Sequence, residues 1–141
     1  KYVRWESSLA PRISELSILI AARCWTSQYE WFAHYPLAMK AGLPAQLAAE
    51  LAQGNRPAAM KPDEEAAYEF CMELHIDRNV SDATFNKAKA VFGENGVIDL
   101  MGLSGYYCLV SMVLNVNNKE LPPGTPNPLP VLTQSPQGTV P

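Results

Sequence analysis

Cysteine is scarce in this sequence and poorly spaced for chemistry, with Cys24, Cys71 and Cys108 its only copies. They lie too far apart for a metal knuckle and are odd in number for a disulfide framework, so a reducing, cytoplasmic setting is expected. No cysteine has a partner three residues away, and a disulfide-forming redox cycle therefore lacks its resolving thiol. Positive charge is also short: 11 Lys and Arg face 14 Asp and Glu, a net charge of −3. That excludes a basic footprint for phosphate backbones or anionic lipid, and nucleic acid is not an expected partner. Runs that alternate apolar and polar residues are missing, which removes the argument for strands, and no internal repeat is visible. The opening Lys-Tyr-Val-Arg-Trp-Glu lacks the apolar character of a signal peptide, and because it starts at Lys1 rather than Met, earlier residues are expected.

Charge of either sign is absent from Leu100 to Asn118. A membrane span would need such a stretch, but Ser104, Ser111, Asn115 and the glycines Gly102 and Gly105 interrupt it and Asp99 opens it. The reading is no membrane, and instead a helix buried on nearly all sides, in this core or against another subunit.

What remains is a globular balance, 48% hydrophobic and 18% charged over 141 residues, enough for one compact domain. Pro11 opens a first helix to about Trp25, with Ile13, Leu16, Leu19 and Ile20 at helical spacing. Ser27 opens a second, to Gly42, and Pro44 a third, ended by Gly54. Pro62 with Asp63, Glu64 and Glu65 starts a fourth, ending near Asn79. Ser81 caps a fifth, stopped by Gly93, and Asn95 caps a long sixth. The fold class is all-α, a single helical domain over 1–120. From Leu121 to Pro141 seven of 21 residues are proline, which predicts an extended arm that either wraps a neighbouring subunit or has no fixed order.

Chemistry concentrates in the first two helices. Glu30 and His34 are four residues apart and share a face, Ser27 lies on that face too, and Glu15 comes alongside if the helices form an antiparallel hairpin. An imidazole between two carboxylates can exchange protons near neutral pH. The same residues also read as a capping box, Ser27-x-x-Glu30, followed by an ordinary surface pair. Arg12 is placed either to bind a substrate carboxylate or to pair with Glu15.

The stretch Arg12 to Gly42, with Arg-x-x-Glu-x-x-Ile-Leu, Ser-x-Tyr-Glu-Trp-x-x-His and Ala-x-x-x-Gly-Leu, resembles the signature of the carboxymuconolactone decarboxylase family, which shares the alkylhydroperoxidase D-like fold. The likeness runs on through Phe85, Phe92-Gly93 and Gly105-Tyr106-Tyr107 to Leu114-Asn115. It implies a helical fold of about six helices, forming a homo-oligomer (dimer, trimer or hexamer), with the site at the helix pair just described. In the peroxidase branch the pattern is Glu, eleven residues, Cys-x-x-Cys, three residues, His. Here Ser27 and Glu30 stand in place of the two cysteines, between Glu15 and His34. The resemblance to the decarboxylase branch implies proton transfer on a carboxylated lactone or similar small organic acid. His34 would be the acid or base, Glu30 and Glu15 would orient it, and Ser27, Tyr29, Arg12 and Trp31 would contact substrate. No cofactor and no metal is required. The other implied possibility is an oligomeric scaffold or binding protein that lost the peroxiredoxin-type thiol activity.

Among the remaining candidates, Trp25, Trp31 and Tyr35 read as core or as the lining of an apolar pocket. His75 reads as structural, with a helix C-terminus favouring its protonated form. Cys71 and Cys108 read as inert core thiols.

Overall fold

The computed structural model describes residues 7–133. It is all-helical: α1 (Pro11–Cys24), α2 (Gln28–Lys40), α3 (Ala45–Ala52), α4 (Pro62–Ile76) and α5 (Asp82–Val116), with no strand among the described residues. The start signals act locally as expected. Pro11 and Pro62 occupy first turns, where a missing N–H costs nothing, and the Ser81 hydroxyl accepts from the Thr84 N–H.

Gly93 interrupts the helix, as its place in the sequence suggests. Its backbone adopts φ 70°, ψ 179°, a conformation open essentially to glycine, and the chain resumes at once as the second half of α5. The fifth and sixth helices of the sequence reading are therefore two helical segments that meet at a kink at Gly93, together spanning the 35 residues of α5.

The central helix is α1, which packs against each of the other four. Ile13, Leu16, Leu19 and Ile20 are essentially inaccessible, and Ala21 and Ala22 let neighbouring backbones approach closely. Tyr68 and Phe70 of α4 with Leu100 and Leu103 of α5 complete the core. Each large side chain fully buried there stabilises by about 1.5–3 kcal/mol relative to exposure. The Asp99 carboxylate, buried in α5, accepts from the Ser8 N–H at 2.6 Å and the Ser7 hydroxyl at 3.1 Å, fastening the segment before α1.

The second half of α5 departs from expectation. Only one of its faces is buried, through Val97, Leu100, Leu103, Tyr107 and Ser111, while Ile98, Met101, Tyr106, Leu109 and Met112 are exposed. By length and composition α5 is apolar enough to cross a membrane, as core helices of this kind often are.

Beyond α5 the proline-rich segment, described to residue 133, folds back on its own chain. Gln28, the first residue of α2, donates through Nε2 to the Leu129 carbonyl at 2.7 Å and accepts from the Leu129 N–H at 2.9 Å. Leu129 is buried, and Leu132 covers Gly54, where an added Cβ would lie 2.6 Å from its Cδ1. Gly54, at φ +78° after α3, is favoured by its backbone conformation, and any side chain there would also push the Leu132 side chain aside.

Candidate functional site

The turn between α1 and α2 creates the site by reversing the chain. Thr26 takes a left-handed φ of 47°, and the Arg23 guanidinium holds its hydroxyl at 2.7 Å. The resulting hairpin lays Glu15 beside His34. His34 Nδ1 stands 2.8 Å from Glu15 Oε2, and His34 Nε2 stands 3.2 Å from Glu30 Oε1. The three side chains are 8%, 17% and 3% exposed for His34, Glu15 and Glu30, so the cluster is enclosed and meets water mainly along Glu15. The Tyr107 ring of α5 packs edge-on against the imidazole, 5.0 Å between centroids.

Burial alone would lower the His34 pKa, but hydrogen bonds and charge attraction from Glu15 and Glu30 outweigh it and raise the value to about 9. At neutral pH the ring is thus an imidazolium donating both N–H groups. It is a held proton source, where the sequence suggested a group poised to exchange near neutrality.

The capping-box alternative is not realised. The Ser27 side chain makes no cap hydrogen bond, and both its hydroxyl and Glu30 Oε2 are buried without a partner among the described residues. Each such buried oxygen costs on the order of 1–3 kcal/mol unless something bonds it.

The other expected contributors disperse. Arg12 pairs neither with Glu15 nor with an open site. It reaches α4, bridging Asp63 at 2.6 Å and Glu64, which is fully buried. Its role is to clamp α1 to α4. Ser27 and Tyr29 border a cavity of about 260 Å³ with Asn115 and Lys119, whose ammonium sits 5.0 Å from the centre of the Tyr29 ring. Trp31 and Tyr35, one position beyond Glu30 and His34, face a different neighbour. With Phe32, Ala48, Gln53 and Pro128 they line an apolar cleft of about 460 Å³ between α2, α3 and the C-terminal segment. That volume falls within the range of small-molecule pockets, about 300–1,000 Å³. Trp25 lies elsewhere, its indole N–H 3.0 Å from Cys108 Sγ.

All three cysteines are unpaired. Burial pushes the Cys24 thiol up to about 12 and raises Cys71 and Cys108 as well, so none is held as a thiolate at neutral pH. Cys108 is more than a core filler, since it is half-buried and also lies 3.3 Å from His75 Nδ1. His75 reverses its expected charge state. Burial lowers its pKa to about 4, outweighing the helix C-terminus because no carboxylate reaches it, and Nε2 has no partner. No group of three or more His, Cys, Asp and Glu is placed to hold a metal among the described residues.

Sequence reasoning passed over Arg23. It is almost wholly buried and donates to the Ala52 carbonyl at 2.8 Å, capping the C-terminus of α3 from beneath. An arginine directly after the apolar run Ile18–Ala22 was the available signal. Pro36, inside α2, was another: it withholds the N–H that would bond the Phe32 carbonyl, beside the apolar cleft.

The chain matches no family model, no curated protein and no solved structure.

Proposed function

We propose that this protein is a carboxymuconolactone decarboxylase-like enzyme acting by acid/base chemistry on a small organic acid, with His34 as proton donor. The observation that carries this reading is one imidazole bracketed by two carboxylates in an enclosed hairpin, one of them fully buried and one at the edge of solvent. Glu30, the buried one, holds Nε2 and fixes the ring. Glu15, the more exposed one, is the group a substrate oxygen or carbon would displace from Nδ1.

For a β-keto or vinylogous carboxylate, the carbon–carboxylate bond breaks, carbon dioxide leaves, and the electron pair passes into the adjacent carbonyl as an enolate. His34 returns a proton to carbon, and solvent reprotonates the ring. The same donor would serve a lactone-to-keto-acid conversion. Free thiols persist in the cytoplasm, where this reading places the enzyme.

Carboxylated lactones and β-keto acids, followed by loss of ultraviolet absorbance and by carbon dioxide release, test the reading. His34→Gln and Glu30→Gln should each lower kcat by about 100-fold or more while the helical circular dichroism is kept. Full turnover by His34→Gln would end it. One observation favours a second reading, a non-catalytic scaffold: Tyr107 packs on the His34 ring while both ring nitrogens are already engaged. No turnover on any of these acids, together with a purely structural effect of His34→Gln, would select it.

A further inference from the structure

We infer that the apolar cleft between α2, α3 and the C-terminal segment binds a neutral, flat aromatic molecule carrying one hydrogen-bond donor. Trp31 and Tyr35, one turn apart on α2, present near-parallel rings, 6.4 Å between centroids and 21° between planes. From α3, Ala48, Ala49 and Ala52 contribute only methyl groups, which leave space for a further ring between the two helices. The third side is fastened: Pro128 precedes Leu129, which is buried and holds two hydrogen bonds to Gln28. Aromatic residues at helical spacing commonly just fill a core, but Phe32 and Tyr35 are each 36% exposed here. They border an open volume of about 460 Å³, which close core packing would have filled and which admits a bicyclic ring system.

The lining also decides the charge and the polar group of the occupant. No residue that lines the cleft is charged, so an entering carboxylate or ammonium would give up its hydration with nothing to replace it. That sets this ligand apart from the organic acid proposed for the His34 cluster. A backbone acceptor is nevertheless on offer. Pro36 lies inside α2 without an N–H, and the Phe32 carbonyl, four residues before it, lacks its helix donor. Both residues border the cleft, and because the proline ring crowds that oxygen, its donor must come from outside the helix. The end of α3 offers no such group, since the Ala49 carbonyl accepts from the Gln53 N–H at 3.3 Å and the Ala52 carbonyl from Arg23 at 2.8 Å. A ring O–H or N–H can therefore bond the Phe32 oxygen while its ring packs against the aromatic side of the cleft.

NMR titration of the full chain at neutral pH with β-naphthol, its methyl ether and β-naphthoate tests the site. β-Naphthol should bind saturably, shifting the Trp31 indole N–H and the amides of Tyr35, Ala49 and Gln53. The ether keeps the ring but has no donor, and should bind about threefold to tenfold more weakly. The carboxylate should bind at least about tenfold more weakly. Ala49 is exposed at the edge of the cleft, so Ala49→Leu should fill the space without disturbing the fold and weaken β-naphthol by at least about tenfold. Pro36→Ala returns an N–H to the Phe32 carbonyl and should bring β-naphthol and its ether to equal affinity, with helical circular dichroism kept. Any of five results would overturn the inference: no saturable binding of β-naphthol up to its solubility limit, shifts confined to exposed α5 residues such as Ile98 and Leu109, binding indifferent to Ala49→Leu, an ether or carboxylate that binds as tightly as β-naphthol, or a preference for β-naphthol over its ether that survives Pro36→Ala.

Discussion

His34 Nδ1 and Glu15 Oε2 lie 2.8 Å apart although 19 residues separate them, and that contact joins the face of α1 to the face of α2. With Glu30 on the other nitrogen, it makes the protonated imidazole both a chemical group and a structural link.

The link has a definite pH signature. The folded pKa of about 9 lies above the usual 6.5, so the stabilisation is complete below about pH 6.5 and is lost as pH rises through 9. Its size is on the order of 3 kcal/mol. Urea unfolding of wild type and His34→Gln at pH 6 and pH 10 measures it. The gap between the two proteins should shrink at pH 10, and a gap independent of pH would count against the arrangement.

His75 should impose the opposite limb. Its folded pKa is lowered to about 4, so stability is present above 6.5 and lost as pH falls toward 4, where the unfolded chain binds the extra proton. His75→Asn should flatten the decline between pH 6.5 and 4 in thermal unfolding. An unchanged acid limb would show that the loss arises elsewhere.

Gly93→Ala isolates backbone strain from packing. An added Cβ meets nothing within 4 Å, yet φ 70°, ψ 179° resists any side chain, so the variant should lose about 1–3 kcal/mol in chemical denaturation. A neutral result would mean that the kink is not needed.

Gln28→Ala should release the C-terminal segment by removing both hydrogen bonds to Leu129. Amide exchange at Leu129, followed by NMR, should speed up by about tenfold or more, which corresponds to roughly 1.4 kcal/mol. Unchanged protection would place the hold on Leu129 burial alone.

The parts of this molecule legible in its sequence are those decided by neighbours in the chain. Pro11, Pro62 and Ser81 mark helix starts because a missing N–H or a capping hydroxyl acts within one turn. Glu30 and His34 share a face by spacing alone, and Glu15 required only a hairpin. What escaped depends on distant partners. Arg12 goes to α4, more than 50 residues away, which no local rule reports. Ser27 carries the spacing of a cap, but tertiary packing buries its hydroxyl without a bond. The dipole argument for His75 failed because burial outweighs a helix terminus when no carboxylate is near. Gly93 was legible as a break with a helix on either side, but that the second helix resumes at once, without an Asn95 cap, was not.

Chemical-shift titration of the His34 ring protons by NMR tests most directly whether two carboxylates hold that imidazole as a proton donor. The arrangement predicts a midpoint near 9, falling toward the ordinary value in Glu15→Gln and in Glu30→Gln. A midpoint at or below about 6.5 in the wild-type protein would contradict it, because burial would then have won over both carboxylates.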